Sequence, residues 1–127
     1  MPESRIGLKR IYEPPDPSDG RRVLVDRLWP RGMTKAEAAV DEWAKDLAPS
    51  ADLRRRYHGR PEDWEAFRAL YRAELAGREG ELDRLAALTR EGPVTLLFAS
   101  KNEARNNATV LKAVLEERLR GRGPAGA

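Results

Sequence analysis

Apolar and polar residues alternate over residues 5–10, Arg-Ile-Gly-Leu-Lys-Arg, and this period of two predicts a first strand. The short continuous run Val23-Leu24-Val25 predicts a second strand over 22–26, and Val94 to Ala99, the most apolar run in the chain, predicts a buried central strand. Elsewhere the period is helical. Ala36, Val40, Trp43 and Leu47 predict a helix from about 35 to 47, opened by the capping box Thr34-Lys35-Ala36-Glu37 and ended by Pro49. Ser50 is placed to cap a short helix through Tyr57, and Pro61 opens a longer one whose apolar stripe of Trp64, Phe67, Tyr71 and Leu75 belongs to the core and stops at Gly77. Leu82, Leu85, Ala86 and Thr89 predict another helix ending at Gly92. A second capping box, Ser100-Lys101-Asn102-Glu103, predicts a last helix from 103 to about 120 with Ala104, Ala108, Leu111, Leu115 and Leu119 facing inward.

Two strand-to-helix transitions, 22 to 47 and 94 to 120, imply an α/β fold. The expected form is a small, mostly parallel sheet of three or four strands, flanked by helices, with a helical insertion between the second and last strands. Residues 12–21 hold three prolines and a glycine and must be an ordered loop. So short a connection is compatible with either direction of strand one relative to strand two. Residues 1–120 form one domain on this reading, and the tail 121–127, rich in glycine, is expected to be disordered.

Composition narrows the function classes. Cysteine is absent, which removes disulfides, thiolate metal sites and a cysteine nucleophile. With a single histidine as well, zinc is effectively excluded, whereas a carboxylate-bound magnesium accompanying a phosphate is compatible with the sequence. No G-x-G-x-x-G or Walker pattern supports a nicotinamide, flavin or nucleoside triphosphate site, and no apolar run is long enough to span a bilayer. A soluble cytoplasmic protein is expected. Nine prolines, no glutamine and only three asparagines point either to a thermophile or to biased base composition.

The net charge of +3 is unevenly spread: residues 1–36 carry 8 basic against 5 acidic side chains, 37–100 carry 10 against 13, and 101–127 carry 6 against 3. The basic excess therefore lies in the segments that hold the strand ends. If the strands are parallel, their carboxyl ends gather Arg10 and Tyr12 from the first, Asp26, Arg27, Trp29 and Arg31 from the second, and Lys101, Asn102 and Asn106 from the last connection. Such ends are where α/β proteins bind ligands. Guanidinium forks and helix N-termini suit a phosphate or carboxylate, so these residues form a candidate anion-binding rim, with Asp26 as the candidate catalytic acid, base or magnesium ligand. Each also has a plainer use: Asp26 and Arg27 as an ion pair, Trp29 as a core plug, Asn102 as part of a helix cap. Asn106 and Asn107, inside the predicted helix, are harder to explain as caps. His58, in Arg54-Arg55-Arg56-Tyr57-His58, has no acid close in sequence to orient it, which disfavours a catalytic imidazole.

Lys9-Arg10-Ile11-Tyr12-Glu13-Pro14-Pro15, the long run Asp19-Gly20-Arg21-Arg22-Val23-Leu24-Val25-Asp26-Arg27-Leu28-Trp29-Pro30-Arg31-Gly32, Trp43 through Ala48-Pro49-Ser50, and Asn106-Asn107-Ala108 with Leu111 resemble the YeaO-like family, a domain of unknown function numbered 488. The resemblance runs to about residue 119 and implies a small, soluble bacterial α/β protein without an assigned reaction. Its pattern carries a tryptophan where Arg56 stands here and a histidine offset from His58, which weakens catalysis by His58; it also commonly carries an acidic residue near Asn102, which puts a general acid at that position in doubt in this chain. Three functions follow as expectations. The first is a pocket for a small phosphorylated or nucleotide-like ligand, with enzymatic activity open. The second is a nucleic-acid-binding regulator using the same arginines on phosphates. The third is a protein-interaction module in which Asp26 and Arg27 hold the fold.

Overall fold

The computed structural model describes residues 6–57 and 60–121. Four strands, β1 (Ile6–Arg10), β2 (Arg21–Leu24), β3 (Glu42–Trp43) and β4 (Val94–Phe98), form one parallel sheet in the order β1-β4-β2-β3. β4 pairs with β1 from Ile6↔Val94 to Arg10↔Phe98 and with β2 from Arg21↔Val94 to Leu24↔Leu97. All of β4 is buried, as its unbroken apolar sequence demands of a strand with neighbours on both edges. β1 and β2 run in the same direction with β4 between them, so their short connection is a parallel crossover without an α-helix.

The α/β architecture agrees with the sequence, but two of the predicted helices are corrected. The first is α1 (Lys35–Ala38), a single turn that carries the expected capping box from Thr34 to Glu37 and ends at Ala39 in the left-handed region, φ 48°. The chain then extends: Asp41 accepts the Arg22 N–H, and Glu42 and Trp43 pair with Val23 and Leu24 as the fourth strand. The helical spacing of Val40, Trp43 and Leu47 was coincidental. The second is α5 (Asn107–Gly121), which begins four residues later than the Ser100 capping box implies. Ser100 Oγ instead accepts from Asn102 in a local turn, and Ala104 is exposed. Helices α2 (Ala51–Tyr57), α3 (Trp64–Ala76) and α4 (Glu79–Glu91) lie where the apolar stripes place them, and Ser50 Oγ accepts the Leu53 N–H as the cap of α2. His58 and the tail beyond 121 lie outside the described residues.

Alternation along the strands sorts the core into two layers. Val23, Val25, Val94, Leu96 and Phe98 face α3, α4 and α5 through Tyr71, Leu75, Leu82, Leu85, Leu111 and Leu115. Leu24 and Leu97 face the other way, into a smaller cluster with Ile11 and Ala38, against which Trp29 and Trp43 pack. That thinner layer is roofed by α1 and loops. No helix among the described residues is long and apolar enough to cross a membrane.

The proline-rich loop before β2 is ordered around a buried charge. Asp16 caps a single 3₁₀ turn, Pro17–Asp19, and the Asp19 carboxylate accepts from Lys9 Nζ (2.9 Å), the Asp16 N–H (3.0 Å) and Arg22 Nη1 (2.6 Å). Arg22, equally buried, spends its other donors on the Ala38 and Ala39 carbonyls at the end of α1. Burial alone pushes the Asp19 carboxyl up, but Lys9, the Asp16 amide and Arg22 together hold it below the ordinary value of 3.8. Gly20 completes the turn at φ +65°, where an added Cβ would come within 2.2 Å of the Pro93 carbonyl oxygen. That same carbonyl accepts the Arg21 N–H at 3.0 Å, so only glycine lets the loop enter the sheet at this point.

Candidate functional site

At the carboxyl end of β2 the ladder continues for one more bond, Val25 N–H to Leu97 O at 3.1 Å, and then the Asp26 side chain takes over from the backbone. Asp26 Oδ2 accepts the Ala99 N–H just beyond β4, and Oδ1 accepts from Asn107 Nδ2, both at 2.9 Å. The same Asn107 amide group donates to the Val25 carbonyl at 2.9 Å, and the Trp43 indole N–H donates to the Asp26 carbonyl at 2.7 Å. Asp26 thus ties together the ends of β2, β4 and β3 and the first residue of α5. Burial raises its carboxyl above 3.8, opposed by the Asn107 and Ala99 donors and by the charge of Arg54. Its partners in contact are neutral; Arg27 makes no ion pair with it among the described residues.

The remaining predicted residues fall into two groups. Arg10 donates from Nε to Ser100 O (2.9 Å) and from Nη2 to Ala99 O (3.1 Å), with its guanidinium 5.2 Å from the centre of the Tyr12 ring. Tyr12 Oη donates to the Arg31 carbonyl, and Trp29 Nε1 donates to Met33 O while its ring meets Trp43 edge-on at 5.5 Å. Asn102 Oδ1 accepts from the Ala104 and Arg105 amides. Asn106 is the buried N-cap of α5: its Oδ1 accepts the Thr109 N–H, Thr109 Oγ1 accepts the Asn106 N–H, and its Nδ2 returns to Asn102 O. These side chains are bound into the connections between strands and helices. The side chains of Arg27, Arg31 and Lys101, by contrast, are exposed and make no hydrogen bond or ion pair among the described residues.

Of this rim only Arg27 lines the cleft that opens beside the sheet, a space of about 330 Å³. Lys45, Asp46 and Ser50 form one wall, and Glu74 and Arg78, from the end of α3 and the turn after it, form the other. Both Glu74 oxygens are occupied by Ser50, which donates from its N–H (2.9 Å) and from Oγ (2.6 Å). Lys45 lies 4.2 Å over the Trp43 ring, and Arg78 makes no side-chain bond among the described residues. In the core, the Tyr71 hydroxyl donates to Leu47 O at 2.5 Å, and its burial, with Asp26 and Glu74 nearby, drives its ionisation far upward. Among the described residues no three His, Asp or Glu side chains gather to hold a metal ion.

Sequence reasoning missed Asn107 as the partner of Asp26, and Lys45, Ser50 and Arg78 as neighbours of Arg27. The asparagine cluster did mark the first: placing the helix start at 103 hid the fact that Asn106 is a cap and Asn107 a clasp. Nothing local marks the second group, because Arg78 joins it only once α3 has packed.

The family model described as the inactive DUF488-N3 subclade matches residues 5–126. The Escherichia coli (strain K12) protein called uncharacterized protein YeaO is 50% identical over 106 residues, covering 84% of this chain and 92% of its own. Uncharacterised proteins of Mycobacterium bovis and Mycobacterium tuberculosis are each 43% identical over 116 residues, covering 91% of this chain and 98% of theirs. No solved structure gives a significant match.

Proposed function

The chain belongs to the DUF488 family, within the subclade described as inactive, and from that premise we propose that it binds a small anionic ligand without turning it over. The observation that carries this reading is the cleft beside β2, where Arg27, Lys45 and Arg78 line one space and none of them has an ion-pair partner among the described residues. Converging cations cost repulsion in the empty protein, and an anion removes that cost. Arg27 and Arg78 offer planar forks for a phosphate or carboxylate, while Trp43 holds Lys45 by its ring. Asp46 contributes one carboxylate, and the other, Glu74, is already satisfied by Ser50.

Binding is favoured over catalysis because of what Asp26 does. One of its oxygens holds the end of β2 to α5 and the other holds it to the chain just beyond β4, and it does not line the cleft. A thermal-shift series with inorganic phosphate, a nucleoside monophosphate and a sugar phosphate tests the reading. A ligand at 100 times its Kd should stabilise by about 2.7 kcal/mol. That shift should vanish in the triple variant Arg27→Ala, Lys45→Ala, Arg78→Ala; an undiminished shift there would place the ligand elsewhere.

A further inference from the structure

The cleft carries charges of both signs, and they do not pair with each other. Arg27, Lys45 and Arg78 line it against two carboxylates, Asp46 and Glu74, which leaves one positive charge in excess. Glu74 accepts only the N–H and hydroxyl of Ser50, both neutral, so its charge stands. Asp46 shares the space with three cations and still makes no hydrogen bond or ion pair among the described residues. On α4, by contrast, Arg84 takes both Glu42 and Glu81. The backbone keeps the cleft groups apart. Lys45 and Asp46 are consecutive in the single 3₁₀ turn Lys45–Leu47. Three residues complete such a turn, so neighbouring side chains diverge by about 120°. Lys45 lies over the Trp43 ring, while Arg27 follows β2 and Arg78 follows α3, fixed by its N–H bond to Leu75 O at 2.9 Å. Ala48 and Leu75, otherwise buried, add an apolar part to the lining.

A ligand that satisfies this lining must itself carry both signs. Provided the cleft is the anion site, on which this rests, we infer that its ligand is a free dicarboxylic α-amino acid. Its two carboxylates match the two guanidinium forks, Arg27 and Arg78, its ammonium matches Asp46, and its methylenes cover Ala48 and Leu75. Two ionised carboxyls and one ammonium leave such a molecule with a single net negative charge at neutral pH, which cancels the excess of the cleft. A phosphate dianion satisfies the guanidiniums but sets its charge against Asp46 and leaves the apolar lining bare. Asp46 is therefore the specificity residue: it penalises a purely anionic ligand by repulsion and rewards one that also brings an ammonium.

Calorimetric titration of the full chain tests this with pairs that differ in one group. L-Aspartate is compared with succinate, and L-glutamate with glutarate; each diacid lacks only the ammonium. At least one amino acid should bind about tenfold or more tightly than its diacid. In Asp46→Asn that margin should collapse to about one, while inorganic phosphate binds about twofold or more tightly once the opposing charge is gone. Asp46 holds nothing in the fold, so the variant should keep the wild-type melting temperature. Equal affinity within both pairs, or a margin that survives Asp46→Asn, overturns the inference. The α-amide of the preferred amino acid should bind more weakly; equal binding would assign the site to the first residue of a peptide and overturn the free amino acid. Phosphate binding that is lost in the Arg27, Lys45 and Arg78 triple variant, with no preference for an ammonium, would leave the anion site standing and overturn only this ligand. No binding of phosphate, diacid or amino acid would overturn both.

Discussion

Two carboxylates, one at each end of β2, solve the same problem by opposite means. Asp19, at the amino end, is buried among formal charges, Lys9 and Arg22, and its carboxyl is held below the ordinary range. Asp26, at the carboxyl end, touches only neutral donors, the Asn107 amide and the Ala99 N–H, and burial lifts its carboxyl above that range. The first is an ion cluster that requires its charge. The second is a hydrogen-bonded clasp that tolerates losing it. One strand is thus anchored at its start by charge pairing and at its end by geometry, and the end left free of strong pairing is the one beside the candidate ligand cleft.

The comparison breaks most visibly at Asp19. Asp19→Ala leaves Arg22 buried with its countercharge gone, which should cost about 3–5 kcal/mol in urea unfolding; a cost below about 1 kcal/mol would mean that the cluster is not what holds the loop. Gly20→Ala should cost about 2 kcal/mol or more by adding a Cβ against the Pro93 carbonyl at positive φ, read as a fall in the urea midpoint. At the other end Asp26→Asn keeps the shape but sets an NH₂ against one of two donors, at about 1–3 kcal/mol. Asn107→Ala, which removes the donor to both Asp26 and Val25 O, should cost about 1–2 kcal/mol and raise the Asp26 carboxyl further, seen by carboxyl-carbon NMR titration.

The smallest effect is the sharpest. Asp19, with its folded value lowered, contributes stability that is fully present above its unfolded value of 3.8 and is lost as pH falls through the lowered one. Asp26, raised, contributes stability that is present below 3.8 and drains away as pH rises through the raised value. Unfolding free energies measured from about pH 3 to about pH 7 should therefore show the margin of wild type over Asp26→Asn shrinking with pH, and the margin over Asp19→Ala growing. Parallel profiles for the two variants would erase the distinction between cluster and clasp.

Where a residue's fate is decided by its neighbours in sequence, the pattern was readable. The runs at β1, β2 and β4, the stripe of α3 and the caps at Thr34 and Ser50 are local, and they match. Misreadings arose where two local signals competed. Val40, Trp43 and Leu47 fit a helical period, yet Ala39 turns left-handed and Asp41 finds the Arg22 amide, so the chain becomes a strand. Ser100 and Glu103 imitate a capping box, but Asn106 and Thr109 make the reciprocal one. At the candidate site, Asp26 was singled out by its position after a strand, while its partner Asn107 lies 81 residues away and Ala99 lies 73 away. No window of sequence contains that triangle. The Asp19 cluster lies within residues 9–22 and escaped notice for a different reason: Lys9, Asp19 and Arg22 meet only when the proline-rich loop folds back.

The strand order has a consequence for how the chain comes into being. β1 pairs with β4 alone, and β2 has only the two residues of β3 until β4 arrives. A ribosome making this protein releases its first two apolar strands long before residues 94–98 exist to join them. Pairings this distant in sequence are slow to form, and strands kept waiting are open to wrong partners. The nascent chain therefore completes its sheet as one late event, and any holding factor would be needed in that interval.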